Sequence, residues 1–238
     1  MKKLAVLFAL LGVFAFGSAN AVDFQYIQGQ PYHPPGFDSS PCPVSTLNQN
    51  HDGSTENAFT WQNTGVVAPD YGAFAEGYAG VSGNVCGASL LLTSWGTMTG
   101  TGTIDVYVWD YDLGTDNPGA VLSMTNDIAI SGVGYWPSMT THAIDVVDAA
   151  AGANGFFVGY WPQSFAGVLA NFGCAMDEDG FGGVPRTNIA PGIGYPTGWN
   201  NPSIAGYILQ AFGLSGYVGG DPTPVENSSW GAIKALYN

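Results

Sequence analysis

Apolar and polar residues alternate most strictly over residues 103–109, T-I-D-V-Y-V-W. Ile104, Val106 and Val108 fall on one side there, and Thr103, Asp105, Tyr107 and Trp109 on the other. That period of two marks a half-buried strand. Residues 110–119, D-Y-D-L-G-T-D-N-P-G, follow as a turn in which Asp, Gly, Asn and Pro each favour a break for its own reason. Similar short stretches occupy 57–62, 73–78, 119–124, 128–130, 141–147, 155–161, 167–176 and 206–212, and Phe74, Glu76 and Tyr78 share one face of the 73–78 stretch. Residues 86–95 form a nearly continuous apolar run, as a strand buried on both faces requires. About ten short strands, roughly 8–14 residues apart and with no helical pattern between them, predict an all-β fold, an antiparallel β-sandwich of jelly-roll type.

The pattern breaks in four places. Residues 1–21 read as a signal peptide, with Lys2 and Lys3 ahead of an apolar run and Ala19-Asn20-Ala21 at the cleavage site. The apolar run is too short for a retained span, since about 20 residues are needed to cross a bilayer. Residues 22–47 are rich in Pro, Gln and Ser and read as an extended leader, so the sandwich domain is expected over 48–219. Within it, residues 180–202 carry too many Gly and Pro for a strand, and predict a long irregular loop that is either functional or a cover for the core. Residues 220–238 read as a linker and an amphipathic tail. In the tail Trp230, Ile233, Leu236 and Tyr237 recur at helical spacing behind a Ser cap.

Composition narrows the partners. The chain has four basic residues against eighteen acidic ones, and two of the four, Lys2 and Lys3, lie in the signal. Nucleic acid and anionic membranes need a basic footprint that this chain lacks. Charged residues make up 9% of the chain, where about 25% is usual, so Ser, Thr, Asn and Gly must supply the polar surface. The 35 glycines and 15 prolines favour short strands and many turns over helices. The signal and the three cysteines place the protein outside the cell, in an oxidising compartment. One bridge and one leftover thiol are expected. Cys86 and Cys174 lie in apolar strand-like runs and are the favoured pair, which leaves Cys42 free or available to another chain.

Four segments resemble a family of secreted bacterial β-sandwich proteins: N-H-D-G-S-T-E-N-A-F-T-W (50–61), I-D-V-Y-V-W-D (104–110), F-V-G-Y-W (157–161) and P-R-T-N-I-A-P-G-I-G-Y-P-T-G-W (185–199). The resemblance implies a jelly-roll-like sandwich and no known reaction. The tail P-V-E-N-S-S-W-G-A-I-K-A-L-Y (224–237) resembles the C-terminal segments of exported surface proteins, some of which carry type IX sorting regions.

The candidate chemistry is one of binding rather than catalysis. There is no G-x-S-x-G elbow, and His33, His51 and His142 lack a matching nucleophile context. Glycoside hydrolysis needs two carboxylates, one with a raised pKa. Glu76, between Phe74 and Tyr78, is the best acid candidate, although a carboxylate hydrogen-bonded at the sheet surface is the simpler reading. Calcium takes six to eight oxygens. Asp110, Asp112 and Asp116 (with Asn117) form one candidate set, and Asp177 and Asp179 (with Glu178) a second. Ordinary turn formation is the competing explanation for both. Tyr107, Trp109, Trp161, Tyr195 and Trp199 lie at strand ends or loops, where aromatic faces suit carbohydrate. The same rings could equally cover the outside of a lysine-poor sandwich. The expected function is therefore a secreted, non-catalytic module for binding or adhesion at the bacterial surface, with polysaccharide as the candidate ligand and calcium as a candidate support. The alternative is a self-assembling subunit of a surface layer or filament, joined through edge strands or Cys42. A hydrolase stands third.

Overall fold

The computed structural model describes residues 23–28 (backbone), 42, 45–62, 72–163, 171–191 and 194–219. The expected signal peptide, type IX-like tail and amphipathic segment lie outside these residues. The described strands, in chain order, are β1 (Asp23–Gln28), β2 (Ser45–Asn48), β3 (Asn57–Gln62), β4 (Phe74–Ala79), β5 (Gly83–Thr93), β6 (Gly102–Asp112) and β7 (Asn117–Ile130). They continue with β8 (Thr140–Ala151), β9 (Gly155–Pro162), β10 (Gly173–Asp177), β11 (Val184–Ile189), β12 (Gly198–Asn200), β13 (Ala211–Phe212) and β14 (Leu214–Gly219). Among the described residues a 3-10 turn, Pro202–Ala205, precedes β13. None of the described residues forms a helix long and apolar enough to cross a membrane.

The strands make two antiparallel sheets, as an all-β sandwich requires. The larger runs β1-β3-β10-β5-β14-β2, with β8 on the other side of β5 and β13 against β10; the smaller runs β12-β11-β4-β9-β6-β7. The alternation read from the sequence sets the facing. Ile104, Val106 and Val108 of β6 are fully buried between the sheets with Phe74, Tyr78, Leu90, Phe156, Val158 and Phe212. Each such side chain contributes roughly 1.5–3 kcal/mol when fully withdrawn from water. β5 is covered on its outer face too. Leu91 packs there with Met139 and Ala175, and Cys86 packs with Cys42 and Tyr217, which accounts for the uninterrupted apolar run. One side of the sandwich is closed where β7 meets β8. Ser123 Oγ donates to the Val147 carbonyl at 2.6 Å, and the Val147 N–H donates to Thr125 Oγ1 at 3.3 Å.

Several expectations are corrected. The favoured Cys86–Cys174 bridge is absent: Cys86 is bonded to Cys42, and Cys174 is a free, buried thiol. A register shift between Val85 and Gly87 sets Cys86 on the outer face of β5, whereas Cys174 points into the core between the sheets. Cys42 is thereby used within the chain and is not available to another. Two parts of the expected leader are strands, β1 against β3 and β2 against β14. The expected irregular stretch 180–202 holds β11 and β12. Pro185, Thr187 and Ile189 alternate inward on β11, a signal hidden by the surrounding Gly and Pro. The two short runs at 119–124 and 128–130 are one strand of 14 residues, β7.

Candidate functional site

The outer face of the smaller sheet carries an aromatic cluster assembled from three strands. On β6, alternation sends Tyr107 and Trp109 outward, where their rings stack with centroids 5.0 Å apart and planes 6° apart. Trp161 of β9 lies 6.1 Å from Tyr107 at 58°. Trp199 of β12 meets Trp109 edge-on at 5.2 Å and Trp161 at 6.5 Å, with interplanar angles of 78° and 67°. Three strands separate β12 from β6 in the sheet, so the β11–β12 hairpin leans over the outer face to bring Trp199 there. Small residues beneath make room. A Cβ at Gly77 would fall 2.6 Å from the Phe157 ring, and one at Gly159 would strike the Phe74 carbonyl.

Phe157, Tyr111 and Trp109 form a buried floor, with Phe157 and Tyr111 stacked at 4.8 Å. Tyr107, Trp161 and Trp199 stand partly buried above it. Val121 and Met124, opposite Trp109 and Tyr107 on β7, extend the apolar rim and are 54% and 41% exposed. Of the five aromatic residues expected to bind ligand, the structure gathers four. Tyr195 is elsewhere: its ring packs on Trp61 at 5.9 Å, against the main core.

A polar group borders the rings. Asp105 lies directly across from Trp161 in the β6–β9 register and two residues before Tyr107 on the same face. Its Oδ1 accepts from Gln163 Nε2 at 2.8 Å and from the Asp127 N–H at 2.9 Å, and Gln163 Nε2 also donates to Asp127 Oδ1 at 2.9 Å. Asp127 holds a left-handed backbone, φ 57°, at a register shift of β7. Asp105, Asp127 and Gln163 were not singled out in the sequence. Only the outward parity of Asp105 beside Tyr107 could have pointed to them.

The acidic turn after β6 is engaged in its own hairpin. Asp112 accepts from the Gly114 N–H and the Thr115 hydroxyl, which holds its carboxyl below the usual range, and Asp116 accepts from the Tyr111 hydroxyl. Arg186 Nε donates to Asn117 Oδ1 at 2.8 Å and pins the hairpin to β11. Among the described residues, the carboxylates that gather are those of Asp52, Asp177 and Asp179, with ligand atoms within 4.8 Å of one another. Asp110, Asp112 and Asp116 are not in that group. Asp177 is buried and accepts the Asp52 and Asp179 N–H groups. Burial, with Asp52 and Glu56 nearby, raises its pKa against those two bonds. Asp52 lies 125 residues from Asp177 in the chain, a distance that hid it from the sequence pattern. These three carboxylates could hold a divalent cation.

Glu76 faces inward and is wholly enclosed. Its Oε1 accepts from Asn50 Nδ2 at 2.7 Å and the Val184 N–H at 2.8 Å, and its Oε2 from the Phe212 N–H at 2.9 Å. Burial pushes its pKa up to about 7 against all three bonds. Gly183 is required beside it, since a Cβ there would sit 2.1 Å from Oε1. Glu76 joins four segments and presents no face to a substrate. Ser215 Oγ and His51 Nε2 meet at 3.3 Å, but both are buried and His51 Nδ1 has no partner among the described residues. Among the described residues no carboxylate is hydrogen-bonded to that histidine, and both side chains are enclosed. Comparisons with protein-family models, with curated proteins and with solved structures each find no match.

Proposed function

We propose that this chain is a secreted, non-catalytic β-sandwich module that binds a polysaccharide at the bacterial surface through Tyr107, Trp109, Trp161 and Trp199. The observation that carries the reading is the convergence of these four rings from three strands onto one outward face, with three of them only partly buried. Partly buried aromatic rings offer large, rigid contact area with a polar edge, which suits the apolar face of a sugar. Glycan-array screening of the purified protein, followed by Trp199→Ala and Trp161→Ala variants, tests it. Binding should fall about tenfold or more in each variant, and a protein that retains no glycan rules the reading out.

Calcium belongs to the proposal as a structural support at Asp52, Asp177 and Asp179. Added calcium should raise Tm and chelator should lower it, both effects vanishing in Asp177→Asn. The second reading, a self-assembling subunit, is favoured by the exposed apolar run Val121, Leu122 and Met124 on β7 and by Val147 on β8. These are side chains rather than open strand edges, since β7 and β8 close on each other, and such an exposed apolar face can bury itself against a second copy. Sedimentation at rising concentration separates the two: a strict monomer speaks for the binding module alone.

A further inference from the structure

Resting on that reading, we infer that the aromatic cluster is a single-residue site whose polar half, Asp105–Gln163–Asp127, selects a neutral hexose and rejects acidic sugars. The size follows from the rings. Tyr107, Trp161 and Trp199 are not a coplanar row: adjacent centroids are 6.1 and 6.5 Å apart and the planes incline by 58° and 67°. Rings so inclined form a corner around one sugar ring, whereas a flat face for an extended chain needs them coplanar and spread out.

The selectivity follows from the border. Gln163 Nε2 bridges Asp105 Oδ1 and Asp127 Oδ1, which ties the two carboxylates together, with Asp105 directly across from Trp161. Among the described residues, the second carboxylate oxygens of Asp105 and Asp127 and the amide oxygen of Gln163 accept nothing, and all three side chains reach solvent. Ionised carboxylates are acceptors only, so they suit hydroxyl donors, and a bond to a charged acceptor is stronger than a neutral one. Adjacent sugar hydroxyls supply such donors. A uronic acid or sulfate would instead bring a like charge against two carboxylates, in a chain with four basic residues to eighteen acidic ones. Arg186 is held elsewhere, by Asn117 at the start of β7, ten residues before Asp127, and by the Pro185 carbonyl. The left-handed backbone at Asp127 is one that Asn also tolerates, so the carboxylate can be neutralised without refolding the bulge.

The test is affinity electrophoresis and calorimetry of the purified protein against neutral glycans (dextran, galactomannan, xyloglucan) and anionic ones (alginate, polygalacturonate, chondroitin sulfate). Wild type, Asp127→Asn, Gln163→Leu and Trp161→Ala are compared, with circular dichroism as the check on folding. The expected result is neutral-glycan binding, weakened about tenfold in Asp127→Asn and Gln163→Leu and lost in Trp161→Ala. Binding lost in Trp161→Ala but unchanged in both polar variants overturns the inference and leaves the aromatic site standing. Tighter binding to the anionic glycans also overturns it. Binding to no glycan at all removes the underlying reading instead.

Discussion

Replacing Glu76 with Gln should change how stability depends on pH, and the size of the change can be worked out. The folded-state pKa is about 7 against an ordinary value of 4.5. At about 1.4 kcal/mol per pH unit, that gap corresponds to about 3 kcal/mol. The direction is opposite to that of a salt-bridged carboxylate. A raised folded pKa means the native state holds the proton more tightly, so the cost of the buried charge is absent below pH 4.5. It grows as pH rises and is complete above pH 7. Glu76→Gln cannot titrate, so its stability relative to wild type should rise by about 3 kcal/mol between pH 4.5 and pH 8. The absolute gain at pH 8 is smaller. A side-chain amide group would face the Phe212 N–H, and an unsatisfied buried donor costs about 1–3 kcal/mol. Urea unfolding of both proteins across this range, with the disulfide intact, gives the difference directly. His51 and Asp177 titrate in both proteins, so their contributions cancel. A difference that is flat, or that falls with pH, would refute the reasoning. It would mean that the three donors on Glu76 outweigh its burial.

Three further outcomes follow from the packing. Cys86→Ser opens a 44-residue loop and should cost about 4 kcal/mol, while the unreduced wild type, once denatured, should titrate a single thiol, Cys174; two thiols would contradict the Cys42–Cys86 bond. Gly183→Ala forces a methyl against Glu76 Oε1 and should destabilise by about 1–3 kcal/mol in thermal melts, so an unchanged Tm would argue against the tight cradle. Arg186→Met removes the Asn117 bond and should speed amide exchange across the 112–117 turn more than elsewhere; uniform exchange would show that the hairpin holds itself.

The sandwich was legible because strand alternation is a local code. Ile104, Val106 and Val108 declare their face within seven residues, and the structure buries all three. The Cys86 pairing was not legible, because one register shift between Val85 and Gly87 turns that side chain to the other face, and shifts depend on the partner strand. β11 was masked by its own Pro and by neighbouring glycines, although Thr187 and Ile189 keep the period. The aromatic residues could be picked out by type, but not sorted by type. Trp199 joins the cluster because the β11–β12 hairpin leans over the sheet, and Tyr195, four residues earlier, packs on Trp61 instead. Carboxylates proved the least legible. Asp112 and Asp116 sit close in sequence and serve their turn, while Asp52 and Asp177 meet only because β3 and β10 pair.

The central claim is that the partly buried rings bind sugar, and tryptophan fluorescence during glycan titration tests it most directly. A glycan taken from the array should shift the emission of wild type saturably, and the shift should be lost in Trp161→Ala and in Trp199→Ala while both variants keep the wild-type circular dichroism. A saturable shift that survives both substitutions would contradict the account, because the sugar would then be bound somewhere other than this face.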